Sequence, residues 1–363
     1  MQAVSLFPSA CPCKKILQVL QRLRLRPGPL FFAMKEVKGM IEVSHLSKTF
    51  RVAKREAGLK AAVRTFFKRE YTEIHALKDV SFTIGDGEMV GYIGPNGAGK
   101  SSTIKMMSGV MAPDSGTCVI NGRIPWKERT AHVQEIGVVF GQRSQLWWDV
   151  PVIDSFELIR DIYHVQDSTY RKNLSRLTEM LDIGEIVKTP ARQLSLGQRM
   201  RCEIAASLLH DPKTLFLDEP TIGLDAVSKI AVRDFIKALN REKGTTVILT
   251  THDMQDIEAL TDRILLIGKG QILMDGTLEE LKGRKSRWRT ITVDYSGSGL
   301  PQLENVQILK DLDGHAQLSF DTEQLSVAQI LSLISSHVEV NDLSVQGESI
   351  DDLVVSLYKE FDI

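Results

Sequence analysis

A glycine-rich stretch decides the fold of this chain: Gly94-Pro95-Asn96-Gly97-Ala98-Gly99-Lys100-Ser101. It fits the phosphate-loop pattern G-x-x-x-x-G-K-[ST]. An apolar run, Met89–Ile93, leads into it, and a helix-compatible segment, Ser101–Ser108, follows it. Glycines let backbone N–H groups turn inward around phosphate oxygens, and a helix N-terminus adds partial positive charge. The pattern predicts a nucleotide site formed by Gly94, Pro95, Asn96, Gly97, Ala98, Gly99, Lys100, Ser101 and Ser102.

Charged and hydroxyl side chains near this stretch predict the chemistry. Lys100 is expected to reach the β- and γ-phosphates, and the Ser101 hydroxyl is expected to ligate Mg²⁺. A second apolar run, Leu215–Leu217, ends in two acids. Asp218 is placed to hold the Mg²⁺ shell, and Glu219, one step further, to polarise an attacking water.

A histidine follows a third apolar run. His252 comes just after Thr246–Thr250, which is also predicted to be a buried strand. Parallel sheets bind ligands at the carboxyl ends of their strands, where the phosphate loop, the two acids and this histidine all lie. We therefore predict that His252 contacts the γ-phosphate.

The composition excludes several classes of protein. The net charge of the 363 residues is −1, so we expect no nucleic-acid partner. No apolar run approaches the roughly 18 residues that span a bilayer, so if the protein works at a membrane, a partner must supply the spanning helices. The close cysteine pair, Cys11 and Cys13, lacks a matching second pair, and we expect reduced thiols there and at Cys118 and Cys202, not a zinc site.

Hydrophobic patterning divides the chain into regions. Residues 1–39 are basic and aperiodic, which predicts either a disordered N-terminal extension or a segment ahead of the true start, since Met34 and Met40 are both plausible starts. Residues 40–282 are predicted to form the main domain, because from Tyr92 to Gly276 strands and helices alternate, as in a parallel sheet covered on both faces. The predictions within it are a strand at Ile41–Phe50, a basic amphipathic helix over about 52–70, a strand at Val80–Ile84 and a helical subdomain over about 147–192.

Residues 288–363 are predicted to form a small α+β domain. The expected strands are Thr290–Tyr295, Val306–Leu309, Ala316–Phe320 and Val338–Val345, and the expected helices are Leu325–His337 and Ile350–Phe361. No internal repeat is found, so one nucleotide-binding core is expected.

A short motif near the middle of the chain resembles the signature of a known protein family. Leu194-Ser195-Leu196-Gly197-Gln198 precedes an amphipathic helix and lies one helix ahead of the acidic strand end. It resembles the L-S-G-G-Q signature of ABC transporter ATPases. Ser195 and Gln198 also form an S-x-x-Q capping box, which is compatible with a phosphate-binding role because a capped N-terminus is an anion site. Leu196 departs from the family pattern, where glycine is usual.

Other positions match the same family. Gln142 resembles the glutamine that links the Mg²⁺ site to the helical subdomain, and is therefore also an expected Mg²⁺ ligand. Gly223-Leu224-Asp225 resembles the loop that crosses the dimer interface. Phe50 resembles the aromatic residue that stacks on adenine; a core aromatic at a strand end is nearly as good an interpretation, and Tyr71 is a competitor.

The resemblance, which covers about Ile41 to Gly276, implies a fold and a function. The implied fold is α/β: a P-loop NTPase core with an antiparallel β subdomain and a helical subdomain, plus the small C-terminal α+β domain. ABC transporter ATPases hydrolyse ATP with Mg²⁺ as head-to-tail dimers. The resemblance implies that each ATP would lie between the phosphate loop of one chain and Ser195, Gly197 and Gln198 of the other. The implied partners are a second copy or a related ATPase subunit and separate transmembrane permease subunits, at the cytoplasmic face of the cell membrane.

Some features bear on the direction of transport and on docking. The basic insertion and the C-terminal domain resemble features of exporter ATPases. The insertion either lies against the anionic inner leaflet of the membrane or presents a solvated helix face, and its charges fit both interpretations equally well. Trp147 and Trp148 either lie in the core or line the groove that receives a permease helix. The alternative function is a soluble ABC-type ATPase acting on nucleic acid or ribosomes; such proteins usually carry two cores or a long coiled coil, and this chain has neither.

Overall fold

The computed structural model describes residues 41–53, 71–141, 143–283, 288–297, 299–301, 303–347 and 350–361. Its strands are β1 (Ile41–Ala53), β2 (Tyr71–Ile84), β3 (Met89–Ile93), β4 (Ser115–Ile120), β5 (Ile136–Phe140), β6 (Thr214–Asp218), β7 (Thr246–Thr251), β8 (Arg263–Gly268), β9 (Gln271–Thr277), β10 (Trp288–Ser296), β11 (Val306–Leu312), β12 (His315–Asp321) and β13 (Glu339–Gly347). Its helices are α1 (Lys100–Met107), α2 (Arg129–Val133), α3 (Val152–Ile162), α4 (Asp167–Met180), α5 (Leu196–Leu208), α6 (Ala226–Lys243), α7 (Met254–Leu260), α8 (Leu278–Gly283), α9 (Val327–Ser335) and α10 (Ile350–Glu360).

The largest sheet of the described residues has six strands. Its order is β5-β6-β7-β3-β8-β9, with β9 antiparallel to β8 and all other neighbours parallel. The side chains of Leu215, Phe216 and Leu217 are fully buried, as expected for a strand covered on both faces. Because the inner strands are parallel, the segments that follow β3, β5, β6 and β7 meet at one edge of the sheet.

A three-stranded antiparallel sheet, β2-β1-β4, lies beside this core. Two predictions here need correction. Residues 52 and 53 belong to β1 instead of a helix, and β2 begins at Tyr71 instead of Val80. The first residues of β2 pair with the end of β1 but are exposed, so they carry no hydrophobic alternation that a sequence pattern could detect. The rest of the predicted basic helix, residues 54–70, lies outside the described residues, as do Cys11, Cys13 and residues 1–40.

The predicted helical region contains α3, α4 and two short 3₁₀ turns at Ile186–Lys188 and Ala191–Gln193. Both helices pack on α5 through side chains such as Phe156 and Leu177, which are buried in the largest core of the protein. This region therefore shares its hydrophobic core with the central sheet.

The C-terminal strands form a four-stranded antiparallel sheet of order β11-β12-β10-β13. Ile291, Phe320 and Ile330 lie in a core of its own, which α9 covers. The predicted strands and helices of this segment are all present. The last helix behaves differently: Leu353 and Leu357 of α10 are buried in the core beside the six-stranded sheet, and α10 contacts α8. Across the described residues, no helix is long and apolar enough to cross a membrane.

Candidate active site

The phosphate-loop stretch lies between β3 and α1, as predicted. Gly97 and Gly99 adopt positive φ angles of 84° and 111°, a region that favours glycine. A Cβ atom at Gly99 would lie 2.5 Å from the carbonyl oxygen of Ala76, and one at Gly94 would lie 2.5 Å from that of Ile267. The loop is therefore packed tightly against β2 and β8, and glycine is required for this fit.

Lys100 is the buried cation of the loop. Its side chain folds back, and Nζ donates to the carbonyl oxygens of Gly94 (2.6 Å) and Pro95 (3.2 Å). Burial lowers the pKa of Lys100 below its ordinary value, while the carboxylates of Glu219 and Asp218 act in the opposite direction. The positive charge thus lies at the loop, facing two acids.

The predicted metal ligands Ser101 and Asp218 are neighbours. Ser101 Oγ lies 3.5 Å from Asp218 Oδ1, which also accepts a hydrogen bond from Thr250 Oγ1 at 2.5 Å. A hydroxyl and a carboxylate are hard oxygen donors, the kind that Mg²⁺ prefers, so these residues fit the ion. Gln142, the third predicted ligand, lies outside the described residues.

Glu219 follows β6 with a strained backbone. Its φ angle is 56°, in the left-handed region that few non-glycine residues adopt. The amide of Glu219 donates to the carbonyl oxygen of Thr250 at 2.9 Å, and Thr250 Oγ1 lies 3.2 Å from the same nitrogen. His252 Nδ1 lies 3.5 Å from Glu219 Oε1. The acid and the histidine are therefore side by side, as the sequence predicts.

One open cleft joins these groups. It is lined by Gly94, Pro95, Asn96, Gly97, Gly99, Lys100, Ser101, Ser102, Asp218, Glu219 and His252. Sequence reasoning missed Ile74, Ala76, Val110 and Arg143, which line the same cleft. For Ile74 and Ala76, the missed extension of β2 is the reason.

The predicted adenine contacts do not line this cleft themselves. Phe50 is partly buried, and it pairs directly with Ile74 in the antiparallel ladder. Directly paired side chains project from the same face of a sheet, so Phe50 lies next to the cleft wall. Tyr71 is exposed and pairs with Ala53 at the far end of the hairpin. Stacking of Phe50 on adenine stays a prediction, and the geometry favours it over Tyr71.

The signature motif caps α5. Ser195 Oγ accepts from the Gln198 amide at 3.2 Å, and Gln198 Oε1 accepts from the Ser195 amide at 3.0 Å, so the predicted capping box is confirmed. Leu196 is partly exposed and points toward Gly223, where a Cβ would lie 2.8 Å from Leu196 Cδ2. Among the described residues that line the cleft, none belongs to the signature motif.

Asp225, the predicted dimer-loop residue, caps the next helix. Its carboxylate accepts from the amide and from the hydroxyl of Ser228, each at 2.9 Å. These hydrogen bonds lower the pKa of Asp225 below its ordinary value. A Cβ at Gly197 would clash with Ser228 Oγ, so the N-termini of α5 and α6 are in close contact. The signature motif and the predicted dimer loop thus lie side by side.

The two adjacent tryptophans lie at the surface. Trp147 is 57% exposed and Trp148 is 52% exposed, so the core interpretation is wrong for both. The guanidinium of Arg199, on α5, lies 5.7 Å from the centre of the Trp148 ring. The sequence pattern left these alternatives open, because tryptophan is common in cores and at interfaces alike.

Comparisons with known proteins identify relatives of this chain. The family model described as "ABC transporter" matches residues 77–222. The linearmycin resistance ATP-binding protein LnrL of Bacillus subtilis is 30% identical over 299 residues, covering 80% of this chain and 96% of that protein. The doxorubicin resistance ATP-binding protein DrrA of Mycobacterium tuberculosis is 30% identical over 296 residues, covering 78% and 89%. A solved dimeric ATP-binding cassette, in a post-hydrolysis state with ADP and Pi, aligns with a TM-score of 0.54 and 26% identity over 66% of this chain and 98% of that one.

Proposed function

This chain belongs to the ABC transporter family of ATP-binding proteins, and from this premise we propose that two copies enclose ATP between them and drive a separate membrane permease. As a member of the family it is an ATP-binding and ATP-hydrolysing subunit. The soluble alternative, acting on nucleic acid or ribosomes, is not favoured, because the relatives are transporter ATP-binding proteins.

One observation carries the composite site. Lys100, Asp218 and Glu219 share a cleft, whereas the capped N-terminus at Ser195 does not line it. That N-terminus has the amides and partial positive charge of an anion site. An ATP that contacts both surfaces therefore requires the second surface to come from another chain.

The proposed hydrolysis follows from the groups in the cleft. Lys100 would exchange its backbone partners for the β- and γ-phosphates. Ser101 and Asp218, with Gln142, would hold Mg²⁺, which neutralises charge on the phosphates. Glu219 would accept a proton as water oxygen bonds to the γ-phosphorus, while the bond between that phosphorus and the ADP oxygen breaks. His252, beside Glu219, would contact the γ-phosphate.

The proposed permease partner and the proposed direction of transport are inferred from the relatives and from one exposed surface. The relatives LnrL and DrrA carry names of linearmycin and doxorubicin resistance. Export of a drug-like compound through a permease is therefore the proposed activity, with the chain at the cytoplasmic face of the membrane. The exposed Trp147 and Trp148 would be the permease contact, because large aromatic side chains anchor interfaces.

Complementation tests the composite site. A chain with Lys100→Ala lacks a working phosphate loop, and a chain with Ser195→Arg lacks a working signature. Each alone should be inactive, but an equimolar mixture should regain ATP hydrolysis, because a mixed dimer pairs the intact loop of one chain with the intact signature of the other. Separate assays of each variant and of the mixture decide the matter: a mixture as inactive as its components would exclude the composite site.

Co-purification tests the docking part. The tagged chain should retain a polytopic membrane protein from solubilised membranes, and Trp147→Ala with Trp148→Ala should abolish the association. Ile162→Ala is the matched control, since Ile162 is an exposed apolar residue of neighbouring α3. Equal retention by all variants would exclude the tryptophan surface as the contact.

A further inference from the structure

A short segment connects the cleft to the exposed tryptophans. It begins at Arg143, which lines the cleft and whose amide donates to the carbonyl oxygen of Phe140 at the end of β5 at 3.0 Å. It ends at Trp147 and Trp148, more than half exposed. The nucleotide site and the proposed permease contact are therefore joined by a few residues of chain.

A buried carboxylate on α5 holds the middle of this segment. Glu203 is only 4% exposed, and its carboxylate accepts hydrogen bonds from the Ser144 hydroxyl and from the Gln145 amide, the latter at 3.1 Å. Gln145 Nε2 also donates to the backbone oxygen of Glu203 at 3.0 Å. The Ser144 oxygen in turn accepts from the Leu146 amide at 3.1 Å.

The same helix touches the end of the segment. Arg199 lies over the Trp148 ring, and Arg199 and Glu203 are four residues apart, so they share one face of α5. That helix starts at the signature cap on Ser195. Glu203 lies eight positions after Ser195, a rise of about 12 Å along the helix. The signature cap and the carboxylate that holds the segment therefore lie on one continuous helix.

Burying the carboxylate of Glu203 at this position costs desolvation free energy. Burial raises the pKa of Glu203 above its ordinary value, and the hydrogen bonds from Ser144 and Gln145 oppose that shift. An apolar side chain could fill the same space without a desolvation penalty. What an apolar side chain could not do is fix the direction of two donors on another segment, since dispersion contacts are non-directional.

We infer that Glu203 is a positioning residue that makes the signature helix and the tryptophan segment move as one unit when ATP is bound. The inference rests on the proposed roles of the signature and of Trp147 and Trp148. It assigns to Glu203 no contact with ATP, and none with the permease. Its function is to make the position of Trp147 and Trp148 depend on whether ATP is bound at the signature.

Tryptophan quenching tests this coupling without a permease. The full chain carrying Glu219→Gln, which should hold ATP unhydrolysed, is mixed with Mg²⁺ and ATP or ADP, and acrylamide quenching of tryptophan emission is measured. ATP should change the quenching. The change should disappear in a chain that also carries Trp147→Phe and Trp148→Phe, because the only tryptophans left to emit, Trp126 and Trp288, lie outside the segment. Glu203→Gln places an amide group opposite two donors, so it should abolish the ATP-dependent change while ATP affinity and ATP-dependent dimerisation are retained.

Two further variants separate coupling from folding. Ser144→Ala removes one donor without disturbing the core, and it should reduce the ATP-dependent change in the same direction. Ser207→Ala is the matched control, since Ser207 is also buried on α5 but donates within its own helix, to Ile204; it should leave the change intact. A full response in Glu203→Gln and Ser144→Ala overturns the inference. ATP-dependent dimers of the Glu219→Gln chain with no tryptophan response also overturn it, while they leave the proposed composite site standing.

Discussion

Thr250 positions both acids of the proposed site, Asp218 and Glu219, although it takes no part in the proposed reaction. Its hydroxyl donates to Asp218 Oδ1, and its carbonyl oxygen accepts the Glu219 amide. A left-handed φ such as that of Glu219 costs about 1–3 kcal/mol and persists only where the surroundings impose it. Thr250 supplies that constraint from the neighbouring strand β7.

Removal of this hydroxyl should slow hydrolysis. Thr250→Val keeps the shape of the side chain but removes the shorter of the two hydroxyl hydrogen bonds to Asp218 Oδ1, leaving only the 3.5 Å contact with Ser101. A hydrogen bond to a charged group contributes about 1.5–3 kcal/mol, and roughly 1.4 kcal/mol is a factor of ten in rate, so kcat should fall about tenfold or more. Steady-state ATP hydrolysis measures it. Thr250→Ser retains the hydroxyl and should retain the rate; a wild-type rate in Thr250→Val would mean that the hydroxyl does not position the acids.

Site residues that belong to a motif of consecutive residues could be predicted from the sequence. Residues that position them through contacts with distant parts of the chain could not. The phosphate loop, Asp218, Glu219 and His252 each follow an apolar run, and parallel strands bring their ends together. Thr250 looked like any β-branched strand residue, because its partners depend on the order of β6 and β7 in the sheet. Glu203 looked like a polar residue of an amphipathic helix, because the segment that buries it lies 58 residues earlier.

At the scale of elements, a histidine joins the helical region to the sheet. His210 follows α5, stacks on Tyr163 just after α3 with ring centres 4.0 Å apart, and donates from Nε2 to the carbonyl oxygen of Ile136 in β5 at 2.9 Å. Its Nδ1 is buried and has no hydrogen-bond partner among the described residues. Burial lowers the pKa of His210 below its ordinary value of 6.5, against the opposing effects of its hydrogen bond to Ile136 and of Asp211.

This junction should weaken in acid. Because the folded pKa is depressed, the unfolded chain binds the proton first, so stability is present above about pH 6.5 and falls as the pH drops toward the folded pKa. His210→Gln keeps a donor for Ile136 and cannot titrate, so unfolding free energies measured by denaturant between about pH 7.5 and pH 5.5 should decline less steeply than in wild type. An unchanged slope would assign the acid sensitivity to other groups.

Elements with regular patterns were predicted, whereas their packing partners were not. The small C-terminal sheet and its helix α9 follow from alternating and helical periodicity in the sequence. The same periodicity predicts α10 but is silent on which surface its apolar face covers. A stripe of apolar residues is compatible with any complementary surface, and here α8 and the ATPase core provide it.

At the scale of the whole molecule, α10 ties the end of the chain to the ATPase core. Ile350, Leu353, Val354 and Leu357 are each less than 10% exposed, and they belong to the same core as α5 and α6. The chain leaves this core after α8, forms the four-stranded sheet and returns to it with α10. The stability of the ATPase core should therefore depend on a helix that lies more than 70 residues after β9 in sequence.

Truncation of one buried side chain of α10 should consequently destabilise the ATPase. Leu357→Ala should lower the unfolding free energy by about 2–5 kcal/mol, because it removes buried methyl groups and leaves a cavity. Val355→Ala is the matched control, since Val355 is 49% exposed on the same helix and its loss should change stability by no more than about 0.5 kcal/mol. Thermal inactivation of ATP hydrolysis distinguishes shared from separate cores. If α10 stabilises the ATPase, the inactivation temperature falls in Leu357→Ala alone. If instead the C-terminal segment melts by itself and hydrolysis persists to the wild-type temperature, the packing of α10 contributes nothing to the ATPase core.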